Sequence, residues 1–266
     1  MDKVLFDKYR ARGVRARTTD GWVTFEGGEV VLCAGAIYSP AILMRSGVGP
    51  PEHLRDLGIT VLQDLPVGSN VNEHAAIDLD LVLKEPAVEV KDKFAVSCLV
   101  RFSSELAGAG RNDMGFGSFN IFKPREGTRA RGSVFVTLFQ SFSRGTVRLL
   151  SADPEVDPSI DFNMLSDHRD MVRMREGVRR PFELAAQPGI ASIVDGMGIG
   201  GVRSESKLPG DLNRWLLERC GSIGHPCGGA PMGARDDPQS VLGPDCCPHG
   251  LEGLRVADGS SMPNER

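Results

Sequence analysis

Residues 29–49, EVVLCAGAIYSPAILMRSGVG, constrain the fold more than any other stretch. Val30-Val31-Leu32 is a short apolar run of the kind that forms a buried strand. Cys33-Ala34-Gly35-Ala36 follows, a turn of small side chains that lets another body approach the backbone closely. Ser39 reads as an N-cap and Pro40 as the first helical residue. The helix continues through Ala41–Ser46, and Gly47 is its natural stop. The unit is therefore strand, small-residue turn, short helix. Its helix N-terminus points free N–H groups beyond the strand end, an arrangement that suits a phosphate or an electron-rich ring.

The chain has 266 residues, enough for one large core or two modest ones. Its hydrophobic content of 41% and charged content of 25% are those of a soluble globular protein. A net charge of −4 gives no reason to expect nucleic acid or an anionic membrane as a partner. No apolar run approaches the ~20 residues of a membrane span. MDKVLFDKYRARGV has no apolar core of a secretory signal, so the six cysteines are expected to be reduced and the protein cytoplasmic.

Taken in order, residues 2–25 alternate as a small β-meander with Asp20-Gly21 as a hairpin signal. Pro50-Pro51 opens a second short helix ending at Gly58, and Ile59–Leu62 reads as a strand. Ile77, Leu79, Leu81 and Leu83 alternate as a half-buried strand, and FAVSCLVRF as another. Residues 103–133 are rich in Gly, Ser and Arg and carry little signal, and Lys123, Arg125, Arg129 and Arg131 form a basic run that reads as a solvated loop. Val134, Val136, Leu138 and Val147, Leu149 predict two strands around the turn Ser143-Arg144-Gly145. Ser166 caps the next helix, whose face carries Met171, Met174, Val178 and Leu184, and Pro181 predicts a break near Arg180. Residues 196–210 read as a glycine-rich loop, and Asp211 as the N-cap of a helix carrying Trp215 and Leu216.

Three segments carry a resemblance: GAIYSPAILMRSGVG (35–49), SIGHPCGGAPMG (222–233) and GLRVADGSSMP (253–263). With DLPVGSNVNEH (64–74) and SRGTVRLLSADPEVDPSID (143–161), they resemble the glucose–methanol–choline (GMC) oxidoreductases, flavin enzymes that oxidise alcohols. The resemblance implies an α/β (α+β) fold: part of a Rossmann-like FAD-binding domain, and a substrate domain with a mixed or antiparallel sheet flanked by helices. It divides the chain into 1–75 (FAD domain), 76–221 (substrate domain) and 222–266 (return to the FAD domain). Family members are longer and begin with a strand–GxGxxG–helix unit for the ADP half of FAD; no GxGxxG occurs here.

By the same resemblance, His225 is the catalytic residue. Oxidising an alcohol removes the hydroxyl proton while hydride leaves the adjacent carbon, and an imidazole is suited to take that proton near neutral pH. Ala34, Gly35, Ala36, Ser39, Asp258 and Gly259 are the cofactor-contact candidates. Gly229 stands where the family usually has threonine, which predicts a looser loop around His225. The family's second active-site group lies beyond the Met-Pro, and Asn264 comes too early to be it. His74 reads either as a contact at the cofactor edge or as an orienting loop hydrogen bond. Cys220, His225, Cys227, Cys246, Cys247 and His249 are a rival zinc set, but without a CxxC pair, and no metal is assigned.

The expected function is FAD-dependent oxidation of a small alcohol. The alternatives are a half-enzyme that needs an N-terminal partner chain or a homo-oligomer, a non-catalytic remnant, a hydroxynitrile lyase on the same scaffold, and a zinc module.

Overall fold

The computed structural model describes residues 1–84, 96–119, 131–199, 202–203 and 210–264. The chain begins with strands β1 (Lys3–Asp7), β2 (Arg10–Thr18), β3 (Gly21–Glu26) and β4 (Val30–Leu32), then helices α1 (Gly35–Arg45) and α2 (Pro51–Asp56). Strands β5 (Ala75–Leu83), β6 (Val96–Phe102), β7 (Met114–Phe119), β8 (Arg131–Leu138), β9 (Thr146–Arg148) and β10 (Ser159–Asp161) follow. Next come helices α3 (His168–Gly177), α4 (Arg179–Ala185) and α5 (Pro188–Ala191), and strands β11 (Val194–Ile199) and β12 (Val202–Arg203). Helix α6 (Leu212–Arg219), strands β13 (Gly221–Ser222) and β14 (Leu254–Val256) and a 3-10 turn (Gly259–Ser261) complete the set. No helix among the described residues is long and apolar enough to cross a membrane.

The chain divides into two compact units. The first comprises Met1–Glu73, Ser143–Asn163 and the segment from His225; the second comprises His74–Phe142 and Met164–Gly224.

In the first unit β1, β2 and β3 form the expected antiparallel meander. Its β2–β3 turn is Thr19-Asp20, one residue before the predicted pair, because Gly21 already pairs with Thr18. Strands β4 and β14 run parallel, Val30 opposite Leu254 and Leu32 opposite Val256. Leu32, Leu43, Met44, Leu54, Val147 and Leu254 form part of the core beneath them. Each such side chain contributes roughly 1.5–3 kcal/mol on burial.

Helix α1 starts at Gly35, not after Ser39. The Ser39 hydroxyl is turned back to accept from the Ala34 N–H at 3.0 Å, so the serine sits inside the helix. Pro40 is also interior, where it cannot donate to the Ala36 carbonyl. The C-terminal end matches the sequence reading: Gly47 adopts φ +86°, and Val48 and Gly47 donate to Leu43 and Met44. Helix α2 ends the same way at Gly58. Residues 59–62 form no strand; only Gln63 bridges to Val48.

The second unit is built on a seven-stranded sheet, β12-β11-β5-β8-β7-β6, with β13 also on β5. The inward face of β5 is the alternating set read from the sequence, and Ile77 and Leu79 are fully buried with Val136, Met174 and Leu216. Two stretches with no strand signal in the sequence contain strands. Within 103–133 lies β7, whose glycines are required by neighbouring rings: a Cβ on Gly117 would stand 2.5 Å from the Phe135 ring. Within 196–210 the glycine-rich β11 pairs with β5. Lys123, Arg125 and Arg129 lie outside the described residues. The strands predicted on either side of 143–145 do not pair with each other: β8 belongs to this sheet and β9 pairs with β10 in the first unit.

Asp167, not Ser166, caps α3, accepting from the Arg169 N–H at 2.8 Å. The break expected near Arg180 falls at Val178, which places Pro181 in the first turn of α4, where no helical N–H is needed. Arg173 is 1% exposed and bonds Asp113 at 2.8 Å and Asp170 at 2.5 Å. Asp170 also receives the Phe142 N–H, and Asp113 the Ser104 hydroxyl. This buried network ties α3 to two loops of its own unit.

Candidate functional site

All seven catalytic and cofactor-contact candidates, Ala34, Gly35, Ala36, Ser39, His225, Asp258 and Gly259, lie in the first unit. Their joint is Asp258. It follows β14, which runs parallel to β4, so the chain leaves both strands at the same end. Asp258 Oδ2 accepts from the Gly35 N–H at 2.9 Å and the Ser39 hydroxyl at 2.6 Å. Oδ1 accepts from the Ser260 N–H at 2.8 Å and the Ser260 hydroxyl at 2.6 Å. Short bonds to an ionised acceptor are the strong class of hydrogen bond. The carboxylate thus caps α1 from outside the helix and fixes the 3-10 turn, doing for α1 what Ser39 was expected to do.

The His225 segment is laid along that turn. The N–H groups of Gly228, Ala230 and Met232 donate to the carbonyls of Gly259, Ser260 and Ser261 at 3.2, 2.8 and 2.9 Å. Gly229 is buried, and its carbonyl accepts from the Gly68 N–H at 2.7 Å. A Cβ at Gly229 would stand 2.5 Å from Pro40 Cγ and 3.1 Å from the Ala36 oxygen. The glycine therefore permits close packing on α1, and the expectation of a loose loop is corrected. Gly259 occupies the same junction: a Cβ there would meet the Pro226 oxygen at 3.2 Å and Ala36 Cβ at 3.8 Å.

His225 itself is exposed, and its backbone N–H donates to Glu73 Oε1 at 3.1 Å. Asn72 and Cys227 exchange two backbone bonds of 3.0 Å, and the Cys227 thiol donates to Asn72 Oδ1 at 3.1 Å. Asn72 and Glu73 are 1% and 2% exposed. They are the residues that sequence reasoning missed. The available signal was two polar side chains, NVNEH, in a run that the fold buries. His74 belongs to the second unit and meets the Phe139 ring edge-on at 5.4 Å. Asn264 Oδ1 accepts from Arg144 at 2.6 Å.

A cavity of about 290 Å³ opens beside the start of α1, lined by Ala34, Gly35, Ala36, Tyr38, Asp157 and Ile160. Gly35 adopts φ +83°, and a Cβ on it would meet nothing within 4 Å. The Tyr38 hydroxyl donates to Asp157 at 2.8 Å, a bond that raises the phenol above its ordinary range. The open, small-residue wall fits a flat ring. It fits an anion poorly, because Asp258 already holds the first helical N–H and would repel a second negative charge. Of the two groups left open by the sequence, the ring is the one these residues accommodate.

The cysteines of the rival metal set are dispersed into other roles. Burial pushes the Cys220 thiol up to about 11, which disfavours the thiolate that zinc requires. Cys246 faces the sulfur of Met232 at 3.8 Å. Among the described residues no group of three metal-ligating side chains is assembled.

Two family models, both described as GMC oxidoreductase, match residues 1–76 and 141–265. An oxygen-dependent choline dehydrogenase of Chromohalobacter salexigens is 32% identical, over 96% of this chain and 48% of its own length. Pyridoxine 4-oxidase from Mesorbium loti superposes with a TM-score of 0.86 at 23% identity, over 99% of this chain and 52% of its own. An FAD-dependent oxidoreductase from Chaetomium thermophilum gives 0.80 at 22% identity, over 99% and 56%. The chain spans about half the length of the curated relatives it matches.

Proposed function

Because the chain belongs to the GMC oxidoreductase family, we propose that it takes part in the FAD-dependent oxidation of a small alcohol to an aldehyde or ketone. The observation that carries the reading is the convergence in one unit of the 34–39 turn, the 225–232 loop and the 258–261 turn, joined by Asp258 and a backbone ladder. Ala34, Gly35 and Ala36 form the wall that would hold the cofactor, with Gly259 beside them. Asp258 and Ser39 act behind that wall and shape it. The contact assigned to Asp258 is then made by the backbone it positions. FAD, when bound, supplies the two-electron acceptor for the hydride leaving the alcohol carbon.

The remaining chemistry belongs to His225. The exposed imidazole receives the hydroxyl proton as the carbonyl forms, the task of a general base. Its main chain is anchored by buried Glu73 and by the ladder, which limits how far the ring can move from the substrate oxygen. In an alcohol oxidation assay on the flavin-loaded protein, His225→Ala should lower turnover by about 10²–10⁴-fold and leave the flavin spectrum unchanged. Wild-type turnover in the variant would remove His225 from the reaction.

The same reading includes a partner: the rest of the family fold, on this polypeptide or on another. Parallel strands are normally covered on both faces. In the β4–β14 pair Val30 and Leu32 are buried, whereas Val31, on the opposite face, is 50% exposed. A homo-oligomer would use the same face. The proposal places the protein in the cytoplasm, where its six thiols stay reduced.

A further inference from the structure

The sheet of the second unit turns one continuous apolar face toward its helices. Ile77, Leu79, Leu81 and Leu83 share that face along β5, and the cross-strand register aligns Val134, Phe116 and Val100 with them. Helix α3 closes the Ile77–Leu79 end, where Ile77, Leu79, Val136 and Met174 are all fully buried. The far end is covered otherwise. The helix breaks at Val178, and α4 and α5, of seven and four residues, bring Pro181, Ala185 and Ile190 over the sheet. Two of these side chains are small, and a cavity of about 260 Å³ is left among Leu81, Leu83, Phe116, Val134, Leu184 and Val194.

The cavity wall is almost wholly carbon. Val100 and Ile193, also on the wall, are 38% and 46% exposed and mark its mouth. A second hollow of about 340 Å³ shares Val100, Phe116 and Leu184 with it, and its rim carries Arg180, Glu183 and Gln187. The Arg180 guanidinium stands 4.3 Å over the Phe102 ring, and among the described residues it forms no ion pair. None of these residues belongs to the cluster around Gly35, His225 and Asp258.

We propose that this hollow binds an apolar molecule carrying a carboxylate at one end, the tail in the carbon-lined cavity and the head at Arg180. An apolar cavity takes an apolar guest, and one of about 150 Å³ admits benzene; the larger volume here admits a chain of about ten carbons by the same scale. Arg180 supplies the matching charge, already stacked on an aromatic face as arginines in recognition sites are. Glu183 repels a carboxylate from its own part of the rim and so confines the head to the Arg180 side.

Decanoate is the probe. Calorimetric titration of the protein should show one saturable site. Arg180→Gln should weaken decanoate about tenfold, the loss of one bond to a charged group, and leave 1-decanol unchanged. Ala185→Phe, which fills the cavity, should abolish both. A readout without substitution uses Cys98, which lines the wall and is exposed: bound decanoate should slow its alkylation by N-ethylmaleimide several-fold, while Cys33 alkylates at an unchanged rate. Absence of saturable binding, full binding by a folded Ala185→Phe, or an unprotected Cys98 at saturating decanoate would each overturn the proposal. An Arg180→Gln variant that binds decanoate as the parent does would overturn the assignment of the head. Flavin enters none of these readouts, so failure here and failure of the oxidoreductase reading are separable.

Discussion

Asp258 accepts four hydrogen bonds from three residues, two of which lie 223 and 219 positions earlier in the chain. An amide in its place would lose the charge and turn one acceptor into a donor facing donors. Asp258→Asn should therefore destabilise the first unit by about 2–3 kcal/mol, read as a lower thermal midpoint. Ser39→Ala removes one of those bonds and should cost about 1 kcal/mol. An unchanged midpoint in Asp258→Asn would show that the carboxylate does not hold the turn. The motif around Asp258 was legible in the sequence, but its partners were not: side-chain bonds across more than two hundred positions leave no local pattern. Ser39 was misplaced for the same reason, since a serine before a proline looks like a cap until its hydroxyl finds a distant carboxylate.

Among elements, strands with an apolar run or clear alternation, β4 and β5, and helices with a cap or a glycine stop, α6 and α2, agree with the sequence reading. Strand β7 does not, because Gly115 and Gly117 remove the apolar alternation on which such a reading depends. The side chains that fill the space come from Phe139 and Phe135. Glycine has a related role at Gly229, which lets the His225 loop meet Pro40. Gly229→Val should destabilise the protein by about 1–3 kcal/mol through overpacking, and unchanged stability would mean that the loop yields freely. In the second unit, burial raises the Asp113 carboxyl, but bonds from Ser104 and Arg173 outweigh it and hold the group below the ordinary carboxylate range. A carboxyl depressed on folding contributes stability above its unfolded pKa, about 3.9, and loses it as pH falls through the folded value. Thermal midpoints measured downward from pH 6 should fall below about pH 4. Asp113→Asn should start lower, by about 1.5–3 kcal/mol, because Arg173 loses one of its two carboxylate partners and keeps only Asp170, and should depend less on pH in that range. A parallel pH dependence in the two proteins would contradict this.

At the scale of the whole molecule, the sequence carried the family through three motifs, whereas the place of Ser143–Asn163 in the first unit rests on pairings with no local signature. Among these are the Val71–Gly145 bridge and the bond from the Val147 N–H to the Gly68 carbonyl. The chain corresponds to about half of its relatives, and the bare face of the β4–β14 pair is the proposed seat of the remainder. Val31→Glu lies on that exposed face, so it should change stability by less than about 0.5 kcal/mol. It should also prevent co-purification with the upstream half of the family fold. Retained association would move the interface elsewhere.

The most direct test of the central claim is the visible absorption of the protein titrated with FAD, alone and with the upstream half supplied. A saturable, protein-shifted flavin band is expected in at least the complemented sample, weakened in Asp258→Asn and intact in His225→Ala. A spectrum that remains that of free FAD in both samples would remove the cofactor from this fold, and equal uptake by Asp258→Asn would remove Asp258 from the cofactor wall.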